Sequence, residues 1–143
     1  MTTPVTWLSA RSLRSVCHDD EAGQWVFDFG EGHVLQVASP WRLVKGGAIA
    51  LGHCDHGQQF GLPQPVDAEA AAYGLVAGRV VLEAVVGDGS ADLVITFDSG
   101  IRLEIFNNSS GYEGWNLNAP GGRMLVAQGG GNLVEWKDGT AVD

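Results

Sequence analysis

Trp25-Val-Phe-Asp-Phe-Gly-Glu-Gly-His-Val-Leu-Gln-Val37 aligns without a gap on Leu93-Val-Ile-Thr-Phe-Asp-Ser-Gly-Ile-Arg-Leu-Glu-Ile105, so that Trp25 falls on Leu93 at a shift of 68 positions. Alternate residues are large and apolar in both: Trp25, Phe27 and Phe29, then Leu93, Ile95 and Phe97. The returning runs do the same with Leu35 and Val37, then Leu103 and Ile105. A period of two is the pattern of a strand with one face in a core and the other in water. Three residues join the runs, Gly30-Glu31-Gly32 and Asp98-Ser99-Gly100. A glycine in third place each time predicts a type I turn followed by a left-handed bulge residue.

The match continues upstream, from Arg11–Cys17 onto Arg79–Val85. Downstream, Trp41-Arg42-Leu43 meets Trp115-Asn116-Leu117 if the second copy carries about six extra residues, roughly Asn107–Tyr112. The chain therefore reads as one domain, residues 1–143, with an internal duplication over approximately 11–43 and 79–117. A further hairpin at 123–137 turns on Gly129-Gly130-Gly131. The fold class expected is all-β with one short helix: an antiparallel sandwich or partly open barrel built from two similar hairpin units. The helix is placed at Val66–Gly74, with Asp67 as N-cap and Gly74 just past the end.

Composition narrows the function classes. At 45% hydrophobic and 17% charged, the chain can bury a sizeable core. A net charge of −9 with eight Lys and Arg argues against nucleic acid or an anionic membrane as partner and favours, if anything, a basic protein. Met1–Leu8 does not read as a secretion signal, and no apolar run is long enough to span a bilayer, so the expected location is cytoplasmic, with Cys17 and Cys54 reduced. The glycine clusters lack the strand-to-helix context of a dinucleotide fingerprint, and no cofactor is expected.

Two local groups of residues carry chemistry. His53-Cys54-Asp55-His56 supplies four metal-type ligands in succession, the basis of a metal-binding or small metal-dependent enzyme reading. In a strand, His53 and Asp55 face away from Cys54 and His56, so only a tight loop lets three converge. The second group is Glu104, Asn107, Asn108, Tyr112, Glu113 and Trp115, whose amides, carboxylates and aromatic faces suit a ligand or partner contact. Asn-Asn-Ser-Ser-Gly is equally the composition of a solvent-exposed turn, and Trp115 stands where Trp41 stands in the first copy.

The run from Phe97-Asp98-Ser99-Gly100 through a second apolar strand to Tyr112-Glu113-Gly114-Trp115 resembles an uncharacterised family of small bacterial all-β proteins with a Phe-Asp-x-Gly hairpin followed by Tyr-Glu-x-Trp. The resemblance implies no catalytic residue. Comparable small acidic β proteins serve as immunity partners of toxins. The sequence thus favours a non-enzymatic binding or protein-interaction module, against a metal-dependent enzyme at His53–His56 or a structural homo-oligomer formed through edge strands.

Overall fold

The computed structural model describes residues 2–138 and 140–142. The first half of the chain supplies β1 (Thr2–Pro4), β2 (Ser15–Asp19), β3 (Gln24–Asp28), β4 (Val34–Val37), β5 (Trp41–Lys45) and β6 (Ala48–Gly52). A helix, α1 (Ala68–Val76), leads to the second: β7 (Val81–Gly87), β8 (Leu93–Phe97), β9 (Ile101–Ile105), β10 (Trp115–Ala119) and β11 (Arg123–Ala127). β12 (Leu133–Lys137) and β13 (Thr140–Val142) complete the chain's strands. They form two antiparallel sheets packed as a sandwich, ordered β1-β7-β8-β9-β5-β6 and β13-β12-β11-β10-β4-β3-β2. The sheets do not close into a barrel.

The pairing register carries the same shift of 68 that the sequence shows. Trp25 pairs Val37 and Phe27 pairs Leu35 in β3–β4; Leu93 pairs Ile105 and Ile95 pairs Leu103 in β8–β9. Val16 opposes Phe27 as Ala84 opposes Ile95. The fourth strand of each unit then crosses to the other sheet. β5 pairs β9 through Trp41–Ile105, while β10 pairs β4 through Trp115–Val37. Each half therefore completes the sheet of the other, related by an approximate twofold. On that axis Ser12 bridges Val80, its own counterpart, and the rings of Phe29 and Phe97, again counterparts, stack 6.5 Å apart at 7°.

The inward faces of both sheets form one buried cluster, in which Trp41, Trp115, Phe27, Phe29 and Phe97 are the largest fully enclosed side chains. Each contributes roughly 1.5–3 kcal/mol by leaving water. Trp41 meets the edges of Trp25 and Phe27 at 5.1 and 5.3 Å, the edge-to-face geometry that aromatic quadrupoles favour.

Two local expectations need correction. The hairpin turns hold more left-handed residues than a type I turn with a single bulge: Gly30, Glu31 and Gly32 all have positive φ, as do Ser99 and Gly100. In the second copy Asp98 exchanges bonds with Val80, its N–H donating to Val80 O while its Oδ1 accepts from Val80 N–H, and the turn rotates to suit. In the first, Phe29 N–H donates to His33 O, extending the ladder one pair further and leaving three residues at the tip. The helix does begin after Asp67, whose Oδ1 accepts from Ala70 N–H at 3.1 Å, but Gly74 lies inside it. Val76 is buried, which carries the helix on to Ala77, and Gly78 at φ 72° makes the left-handed exit.

α1 lies against β2 and β6, the adjoining edges of the two sheets. Glu69 Oε2 accepts the edge amide of His18 at 2.8 Å. The corresponding edge in the second half, at Val86, is covered by β1 through Thr3. None of the helices described is long and apolar enough to cross a membrane.

Candidate functional site

The end of the sandwich beside α1 holds a cleft of about 340 Å³ lined by His18, Trp25, Ser39, His53, Cys54 and His56, with Gly23, Val37, Ala38 and Pro40. β2 and β3 deliver His18 and Trp25; the crossover from β4 to β5 delivers Ser39; a single helical turn after β6, His53–Asp55, delivers the rest. Asp55 shapes that turn by accepting the Gly52 N–H on Oδ2 at 2.9 Å.

The histidines are held by their Nδ1 atoms. His53 Nδ1 accepts the Trp41 backbone N–H at 3.3 Å, and His56 Nδ1 accepts that of Ala68 at 3.1 Å. A nitrogen that accepts carries no proton, so both neutral rings are protonated at Nε2. His53 Nε2 then faces Cys54 Sγ at 3.1 Å. The His18 ring lies 4.6 Å from that of Trp25, tilted by 33°, and reaches within 5.7 Å of the His56 ring. Its Nδ1 is 2.7 Å from Asp20 Oδ1, but off the line that a hydrogen bond needs.

Of the four ligand-type residues singled out in the sequence, His53, Cys54 and His56 line the cleft, and Asp55 is turned back to its own backbone. Among the described residues, no three His, Cys, Asp or Glu side chains stand together as a metal ion requires. An ion here would need those backbone bonds broken.

The second group lies on the opposite half and is dispersed. Trp115 is core, with its indole N–H donating to Ala91 O at 2.8 Å. Asn107 ties three loops together: its N–H donates to Asp92 Oδ1, and its Nδ2 to Ser90 O and Gln128 O. Glu104 is gripped by Arg42 at 2.6 Å and Arg102 at 2.8 Å. Burial alone would raise its carboxyl, but the hydrogen bonds and charges of the two arginines outweigh that and hold it below the ordinary carboxylate range. Tyr112, 82% exposed, and Glu113 border a shallow groove with Gln128 and Gly129, while Asn108 is exposed outside it.

Sequence reasoning missed His18, Ser39 and Trp41. The signal was a mismatch between the copies: where the second has Asp92 and Asn107, the first has Gln24 and Ser39. Asn107 spans to two neighbouring loops; a serine hydroxyl is too short to do so. Among the described residues, neither the Ser39 hydroxyl, in a side chain only 7% exposed, nor the buried Trp41 indole N–H has a hydrogen-bond partner.

A second feature adjoins the cleft. Residues 57–66 fold back on themselves, with Gly57 N–H donating to Val66 O and Val66 N–H to Gln58 O. The tip carries Phe60, 67% exposed and at φ 49°, and Leu62, 49% exposed. A bulky aromatic residue in left-handed conformation and in water is strained twice over.

The chain belongs to DUF6188, a family of unknown function, whose sequence model matches residues 4–137. No curated protein and no solved structure matches it.

Proposed function

We propose that this member of the DUF6188 family is a non-enzymatic binding module that engages a partner protein through the end of the sandwich bearing the cleft and the Phe60–Leu62 tip. The observation that carries this reading is the difference, among the described residues, between two matched ends: one is bridged by Asn107 and Trp115, with Asn107 Oδ1 left without a partner, and the other leaves the Ser39 hydroxyl, the Trp41 indole N–H and His18 Nδ1 unpaired beside exposed apolar side chains. Unpaired buried donors and an exposed apolar tip both lower their free energy when a partner covers them. The net charge of −9 favours a basic partner, steered as an acidic immunity protein steers its toxin, in the cytoplasm. The Tyr112–Glu113 groove is the secondary contact.

The test is capture from native lysate at low salt with wild type and with Phe60→Ser/Leu62→Ser. A stoichiometric basic partner, held by wild type and by a Leu82→Ser control at an exposed apolar residue of β7 but released by the tip variant, supports the reading. Equal capture by wild type and tip variant, or no stoichiometric partner at all, refutes it.

A further inference from the structure

We infer that the cleft recognises a planar sp2 oxygen acceptor, the C=O of an amide or a carboxylate, carried on a flat apolar body. This rests on the reading of that end as the binding surface and adds what the surface recognises. The internal twofold supplies the geometry. Trp115 donates its indole N–H to Ala91 O, and the residue corresponding to Ala91 is Gly23, which lines the cleft. Trp41 does not itself line the cleft, but its buried indole N–H, unpartnered among the described residues, is the counterpart of the one that meets an oxygen in the other half.

The remaining polar lining donates too. His56 has Nδ1 occupied by the Ala68 N–H and presents Nε2–H in its neutral form. The Ser39 hydroxyl is buried at the cleft without a partner among the described residues. Buried donors that lack acceptors select a ligand that brings them. No Lys or Arg lines the cleft, so phosphate-like polyanions find no matching charge. Trp25, Val37 and Pro40 form apolar walls, and a volume of about 340 Å³ admits one ring with its planar substituent.

The experiment uses the full-length protein labelled with 15N, following the indole N–H resonances of Trp7, Trp25, Trp41, Trp115 and Trp136 during separate titrations with N-methylbenzamide and benzoate. The expected result is a saturable shift of Trp41 while Trp115 stays fixed, with Ser39→Ala weakening binding about five- to tenfold. Tighter binding of the amide identifies a peptide-type carbonyl as the source, and tighter binding of benzoate a free carboxylic acid; either supports the inference. It is overturned if neither probe moves Trp41, or if Trp41 and Trp115 move alike. Because the probes report on the cleft alone, their failure leaves the outcome of the tip-variant capture to be judged by itself.

Discussion

Trp41 and Trp115 hold matching places, each opening the strand that crosses to the opposite sheet, yet one indole is bonded and the other is not. The backbone does not explain the difference. The turn at Asp20–Gly23 has the same closing bond as its counterpart, Gly23 N–H to Asp19 O matching Ala91 N–H to Gly87 O. What differs is a pair of side chains, together with the six extra residues, Asn107–Tyr112, that the second copy carries. Asp92 and Asn107 pull the second turn inward and join it to the loops at Ser109 and Gln128, where Gly130 N–H donates to Ser109 O. Gln24 and Ser39 make none of these bonds. These differences on one frame leave one end bridged and the other open.

Making the halves alike, or more different, tests this account. The largest effect is expected at Gly131→Ala, where a Cβ would meet the Gly89 carbonyl oxygen at φ 94°. Urea unfolding should show a loss of about 3–4 kcal/mol. Gly57→Ala at the open end has positive φ but nothing within 4 Å, and should lose only about 1 kcal/mol. Asn107→Ser, which gives the second half the first half's residue, should cost about 2 kcal/mol by the same measurement.

Trp115→Phe should destabilise by about 1–2 kcal/mol more than Trp41→Phe, because only the former leaves a carbonyl, Ala91 O, without its donor. Equal costs would contradict the asymmetry. The smallest effect concerns the outer faces, where Arg42, Arg102 and Glu104 have Asn116, Val34 and Gln36 as their counterparts in the repeat. Glu104→Gln should cost about 1 kcal/mol at neutral pH. Because the folded carboxyl titrates below its ordinary value, its stabilisation is complete above the unfolded pKa and is lost as pH falls through the folded one. Melts of wild type and variant should therefore converge in acid, below the ordinary carboxylate range.

The frame was legible because it rests on local rules. Alternation at Trp25–Phe29 and Leu93–Phe97 specified strands, and the gap-free shift of 68 reappears in the pairing of β3–β4 and β8–β9. The swap of β5 and β10 between sheets was not legible, since period-two alternation records which face is buried and not which strand lies alongside. The site was half legible: His53, Cys54 and His56 stood out by residue type, whereas Ser39 and Trp41 are ordinary residues made unusual only by partners that their counterparts have and they lack. Trp115 drew attention as a contact aromatic, but its indole is spent on Ala91 inside the core.

The most direct test is to transplant Asp88-Gly-Ser-Ala-Asp92 in place of Asp20-Glu-Ala-Gly-Gln24 together with Ser39→Asn, and to record the Trp41 indole resonance with and without N-methylbenzamide. If the two ends differ only in these closing residues, the Trp41 proton should move to a hydrogen-bonded position like that of Trp115, and the response to the probe should vanish while the protein stays folded. A folded transplant whose Trp41 responds to the probe as wild type does would contradict the account.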